Sequence, residues 1–214
     1  MSCDIRNFWS IPFMTSEWNH FSEYSNELIT IVNDLESSTS NVKGVEIAGN
    51  FSDLTSKWYT YNFLAIQNQA VEELKKFIFR QVKDYIEKIP HKEDELYYIS
   101  WANLLRNKGC LSSHSHAGPY SYISGVFFIK SKGSFTRFYA PLDDRIPGVV
   151  DFMESQIDIE SIEGTLVLFP SFIEHSTTPT SDGSPRITIA FDILKESPKD
   201  RFHNSYGYSV INKI

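Results

Sequence analysis

Three histidines, His114, His116 and His175, have the type and spacing that could do chemistry in this chain of 214 residues. In an extended segment residues i and i+2 point to the same face, so Ser112-Ser113-His114-Ser115-His116 can bring two imidazoles to one point. The third histidine lies far downstream in Phe169-Pro-Ser-Phe-Ile-Glu-His175, just after the turn Phe169-Pro170-Ser171. Three protein ligands on one face of a metal ion leave the opposite positions open for small molecules. Imidazole suits iron(II) in such a site, as it suits zinc, copper and nickel. A lone His-x-His is more commonly just solvated, and that plain reading holds for His20, His91 and His203. Arg186 adds a second function. It opens the run Arg186-Ile-Thr-Ile-Ala-Phe-Asp-Ile193, and its guanidinium is a rigid fork matched to a carboxylate. If it points inward it needs an anionic partner, because an unpaired buried cation is costly. Thr188 shares its face and can supply one more hydrogen bond. A surface arginine at the start of an edge strand is the plain alternative.

The elements that would position these residues change type along the chain. Residues Phe8 to Phe13 form a short apolar segment. Trp18, Phe21, Leu28, Ile31, Val32 and Leu35 fall at helical spacing and predict a helix over 17–35. Val42 to Leu54 is weakly patterned, with room for a short strand between Gly44 and Gly49. A stripe running from Phe63 through Ile66, Val71, Leu74, Phe77, Ile78, Val82 and Tyr85 to Ile86 predicts a helix over 62–88, ended by Pro90. Such a stripe is core packing. After Lys92, strands are predicted at 97–105, 122–129, 135–139, 165–169 and 186–194, separated by turn residues. Helices first and strands afterwards argue against alternating β-α units. The expected fold is α+β in a single domain, 1–214. A helical layer (about 1–92) packs on a C-terminal jelly-roll-like barrel (about 93–195), followed by a tail, 196–214. Such barrels can hold a site among inward-facing residues.

Composition limits the alternatives. With 41% hydrophobic and 22% charged residues the chain has the balance of a soluble globular protein, and no apolar run is long enough to span a bilayer. Cys3 and Cys110 cannot make a disulfide framework and fit a reducing cytoplasm. A net charge of -7 argues against nucleic acid or anionic lipid as a partner. The N-terminus lacks the basic region and apolar core of a signal peptide.

Taken in order, the motifs resemble a known family. His114-Ser-His116, Pro119-x-Ser121-x-Ile123-Ser124-Gly125-Val126-Phe-Phe, Phe169-Pro-Ser-Phe-x-x-His175-Ser and Arg186-x-Thr-x-Ala-Phe are similar to the 2-oxoglutarate/Fe(II)-dependent oxygenases of bacteria and phages, within the prolyl-4-hydroxylase-like group. Trp101-Ala-Asn103 resembles that family's Trp-x-Asn. The resemblance is strongest from Ser100 to Ile193. It implies a double-stranded β-helix with Fe(II) held at His114, His116 and His175. It also implies 2-oxoglutarate held by Arg186, with Thr188 as a helper hydroxyl and Asn103 and Ser124 near the cosubstrate or metal-bound water. The implied reaction oxidises a small-molecule or peptide substrate with O2, most simply by hydroxylation, and releases succinate and CO2.

The chain departs from the wider superfamily where His116 stands in place of the usual Asp or Glu. Either all three imidazoles coordinate, or one of the pair only supports the site and a carboxylate comes from elsewhere. Glu174 is adjacent to His175 but would face away in an extended segment. Phe127 and Phe128 stand where tyrosine is frequent, and the segment between His116 and Pro119 is slightly longer than the family's. Two other functions fit the same residues: a three-histidine metal dioxygenase that does not use 2-oxoglutarate, and a catalytically silent jelly-roll that binds a ligand. Tyr120, Tyr122, Trp101 and Phe172 are the candidate pocket aromatics.

Overall fold

The computed structural model describes residues 10–39, 53–56, 58–90, 95–118, 121–141, 154–195 and 212–214. The weakly patterned segment before Leu54, the candidate Tyr120, His91, His203 and most of the tail lie outside them.

Five of the strands stand where the alternation of side chains predicts them, within a residue at each end. They are β2 (Tyr97–Leu105), β3 (Ser121–Lys130), β4 (Phe135–Tyr139), β6 (Thr165–Pro170) and β8 (Arg186–Leu194). Four more were not anticipated: β1 (Met14–Glu17), β5 (Gln156–Glu160), β7 (His175–Thr177) and β9 (Asn212–Lys213). They assemble into two antiparallel sheets. One has six strands in the order β1-β6-β3-β8-β2-β9, and the other has three in the order β5-β4-β7.

Both helices begin later than their apolar stripes suggest. The first, α1, spans Phe21–Thr39. Met14 to Glu17 pair with Leu168 to Thr165 on the edge of the large sheet, and the Trp18 N–H donates to Gly164 O (2.9 Å), so this stretch extends the sheet instead. A one-turn helix, α2, covers Asp53–Ser56. The long helix α3 spans Gln69–Ile86. Asn68 starts it, its Oδ1 accepting from the N–H groups of Ala70 (2.7 Å) and Val71 (3.3 Å), which satisfies two donors of the first turn. The preceding Phe63–Ala65 is a 3-10 turn tied to β2. There the Leu64 N–H donates to Ser100 Oγ (2.8 Å), and Ser100 donates to Asn62 Oδ1. A buried serine on the sheet thus claims the backbone that the stripe assigns to helix.

One core cluster unites helices and sheet. Leu28 and Val32 of α1, and Val71, Leu74, Phe77 and Ile78 of α3, share it with Ile187, Ile189, Phe191 and Ile193 of β8 and with Leu166 and Leu168 of β6. The alternate residues of the same strands face the other way. Phe128, Val167 and Phe169 pack with Phe138 of the small sheet and with Ile173. Gly125 is needed at the centre of β3, because a Cβ there would stand 2.2 Å from the ring of Phe191, its neighbour across the ladder. Among the described residues no helix is long and apolar enough to cross a membrane.

Candidate metal centre

The three histidines converge. His114 and His175 form an antiparallel bridge, each N–H donating to the other's carbonyl (3.0 and 2.8 Å). The His116 N–H donates to Ser171 O (3.0 Å), which anchors the segment to the turn after β6. Outside that bridge the stretch is irregular rather than a strand, yet the rings meet. Ring centroids are 4.4 Å apart for His114 and His175, 5.1 Å for His116 and His175, and 5.3 Å for His114 and His116. One ligand atom from each lies within 4.8 Å of the others, the geometry of a group able to hold one ion.

The donor set fits a metal. In each ring Nδ1 is already committed: in His114 to Ser112 O (2.8 Å), in His175 to Ile173 O (3.1 Å), and in His116 to Asp192 Oδ1 (2.7 Å). A carbonyl oxygen only accepts, so Nδ1 of His114 and His175 carries the proton and Nε2 keeps its lone pair for coordination. Burial holds both imidazoles below their ordinary pKa, His175 down to about 3, where the nearby His116, His114 and Arg186 add to the effect. Two neutral ligands are therefore present at neutral pH. Burial alone would lower His116 too, but the charge and hydrogen bond of Asp192 outweigh it and raise that imidazole. Glu174 faces outward, as its neighbour relation to His175 predicts, and accepts from Ser113 Oγ (2.5 Å).

A cavity of about 510 Å³ opens onto the histidines. Along β8 its wall is Arg186, Thr188, Ala190 and Asp192, every second residue of the strand, and Asn103 and Trp101 come from β2 alongside. Arg186 is 2% exposed. Its Nε donates to Ser134 Oγ (3.2 Å), and its Nη2 donates to Thr136 Oγ1 (3.2 Å) and Ser161 Oγ (3.3 Å). The Phe128 ring lies under it, 5.6 Å from the guanidinium carbon. Among the described residues the expected anionic partner is absent, with no carboxylate within ion-pair distance of Arg186. Burial lowers its pKa to about 10. Three neutral hydroxyls and an aromatic ring thus surround a cation that faces a cavity, an arrangement with the chemistry to take an anion.

The other residues singled out in the sequence fall around this axis. Thr188 is fully buried on the wall, and Asn103 Nδ2 donates to its Oγ1 (3.5 Å). Asn103 Oδ1 is buried without a hydrogen-bond partner. Ser124 is not on the cavity wall. Its Oγ donates to Asp192 Oδ1 (2.6 Å) and lies 3.3 Å from His116 Nδ1, so it touches the histidine network. Of the candidate pocket aromatics Trp101 lines the cavity, with Trp58 beside it at 5.8 Å. Phe172 points to solvent, and Tyr122 packs against the main core. Asp192, Trp58 and the hydroxyls of Ser134, Thr136 and Ser161 escaped the sequence reading. For Asp192 a signal existed: continuing the Arg186–Thr188 face by two more steps of two reaches it.

Residues 99–192, which contain every residue of this site outside the Trp58 wall, match the family model described as "Putative 2OG-Fe(II) oxygenase". No curated protein matches the chain. Solved structures share its fold at low identity. A prolyl-4-hydroxylase from Pseudomonas putida is 13% identical with a TM-score of 0.55, covering 87% of this chain and 94% of its own. A prolyl hydroxylase from Trichoplax adhaerens, solved with a peptide of hypoxia inducible factor, is 13% identical with a TM-score of 0.59, covering 90% and 87%. The alpha-ketoglutarate-dependent epimerase SnoN of nogalamycin biosynthesis is 11% identical with a TM-score of 0.60, covering 87% and 77%. The segment that builds the three-histidine cluster and the arginine pocket is thus the part of the chain that resembles the 2OG-Fe(II) oxygenases, and the chain shares its fold with prolyl-4-hydroxylases.

Proposed function

We propose that this protein is an Fe(II)- and 2-oxoglutarate-dependent oxygenase that hydroxylates a small-molecule or peptide substrate. The observation that supports it most is the buried Arg186, with no carboxylate at ion-pair distance among the described residues, opening into the same cavity as three imidazoles whose Nδ1 atoms are already bonded within the protein. When bound, iron and 2-oxoglutarate supply the oxidation: the keto acid and O2 become succinate and CO2, and one oxygen atom enters a substrate C–H bond. The chain's own residues bind and orient. His114, His116 and His175 hold the metal. Arg186 takes the distal carboxylate of the cosubstrate, with Thr188 and Asn103 alongside. The Phe128 ring and the close packing behind Arg186 exclude water, which strengthens that pairing. Trp58 and Trp101 offer an apolar aromatic wall to the substrate. Ser124 we assign to supporting His116 rather than to the cosubstrate. The reading treats residues 1–214 as one domain, a helical layer covering a double-stranded β-helix, and places it in the cytoplasm.

The test is anaerobic titration with Fe(II) and then 2-oxoglutarate, following the weak visible charge-transfer band of the chelated complex, for the parent and for His175→Ala. The expected result is a band in the parent that is lost in the variant. Stoichiometric iron without a band would turn the assignment to a three-histidine dioxygenase that does not use 2-oxoglutarate. Neither iron nor band would turn it to a binding protein.

A further inference from the structure

His114 and His175 give their Nδ1 protons to neutral backbone carbonyls, whereas His116 gives its proton to a carboxylate. That asymmetry is built deliberately into the fold. Asp192 sits near the end of β8, opposite Ser124 in the β3 ladder, and is 8% exposed. Its Oδ1 receives His116 Nδ1 at 2.7 Å and Ser124 Oγ at 2.6 Å, and Ser124 Oγ in turn lies 3.0 Å from Ser171 Oγ. The Ser171 carbonyl accepts the backbone N–H of His116 (3.0 Å), so one small cluster holds both the ring and the main chain of that histidine. Trp101 covers the ring, at 5.4 Å between centroids.

We infer that Asp192 is a positioning residue that locks His116 with its proton on Nδ1, turns Nε2 to the ion, and returns to the centre the negative charge lost where His116 stands in place of a carboxylate ligand. The inference rests on the proposed metal centre. Three neutral imidazoles leave the whole charge of a divalent ion uncompensated. A carboxylate bonded to the far nitrogen of one ring makes that ring a stronger electron donor and fixes its orientation. Asp192 is not itself in the ligand group, because its near oxygen is occupied by His116 and Ser124.

Two variants separate the two roles. Asp192→Asn keeps an oxygen acceptor for His116 and Ser124 but removes the charge, and Asp192→Ala removes both. The readouts are the anaerobic Co(II) affinity with its visible ligand-field spectrum, and nitrogen-15 NMR of the histidine rings in the metal-free protein. Expected for Asp192→Ala is a loss of about ten- to a hundredfold in metal affinity. The fixed Nδ1–H form should be lost at His116 alone, with His114 and His175 unchanged. Asp192→Asn is expected to keep that form, to shift the Co(II) spectrum and to fall between parent and alanine in affinity. The asparagine is nearly isosteric, so it serves if the alanine variant does not fold. Parental Co(II) affinity and spectrum in Asp192→Asn would overturn the charge role. A neutral His116 ring that carries its proton on Nε2 in the parent would overturn the locking role. The ring measurement needs no metal, so it stands even if the parent binds none, in which case only the metal assignment falls. A parent that binds Co(II) but not 2-oxoglutarate would overturn the proposed cosubstrate and leave Asp192 in place.

Discussion

The two faces of β8 are equally buried and chemically opposite. Ile187, Ile189, Phe191 and Ile193 enter the core shared with α1 and α3, whereas Arg186, Thr188, Ala190 and Asp192 line the cavity beside the histidines. In an ordinary half-buried strand such alternation separates core from solvent. Here it separates core from site, because a second sheet covers the polar face. One face contributes stability through apolar area removed from water. The other holds a cation with no carboxylate at ion-pair distance among the described residues, and a carboxylate bonded to His116, an arrangement that costs stability.

Substitutions that strike one face and spare the other test this contrast. The largest effect is expected from Phe191→Ala, which removes a ring from the shared core and from its seat over Gly125. A loss of about 3–5 kcal/mol in unfolding free energy is expected from chemical denaturation. On the opposite face, Arg186→Met should remove about 1.5–3 kcal/mol of charge-assisted hydrogen bonding, about ten- to a hundredfold in 2-oxoglutarate affinity by anaerobic titration. The same change should leave the melting temperature of the metal-free protein no lower, because among the described residues the cation has no partner of opposite charge. A variant that melts far lower while binding 2-oxoglutarate normally would make Arg186 a structural residue and erase the contrast. The smallest effect is expected from Asn68→Ala, which removes the cap of α3. About 1 kcal/mol of stability should be lost, with metal and cosubstrate affinities unchanged.

Much of the site was legible because it uses the shortest-range rule in a protein, the alternation of side chains along a strand. His114 with His116, and Arg186 with Thr188, were paired by that rule, and the cavity contains all four. The alternation failed locally at 112–116, where the backbone is irregular, yet the bridge to His175 restored the convergence. The helix starts were misread for a related reason. Apolar spacing marks what is buried, and Phe63 and Trp18 are buried without being α-helical. Ser100 and the edge of β6 decide those segments, and neither lies nearby in sequence.

By itself the sequence determined the two long helices ahead of the main run of strands, five strands nearly to the residue, and the three histidines and the arginine that share the cavity, since each is written in local periodicity or in motifs of short span. Only the tertiary structure decided the rest. The short strands β1, β5, β7 and β9 have too few residues to show a period and take their conformation from a partner's edge. The cradle of Ser134, Thr136 and Ser161 around Arg186, and the bond from His116 to Asp192, join residues far apart in the chain, and a hydrogen bond of this kind exists only once folding has brought its donor and acceptor into contact.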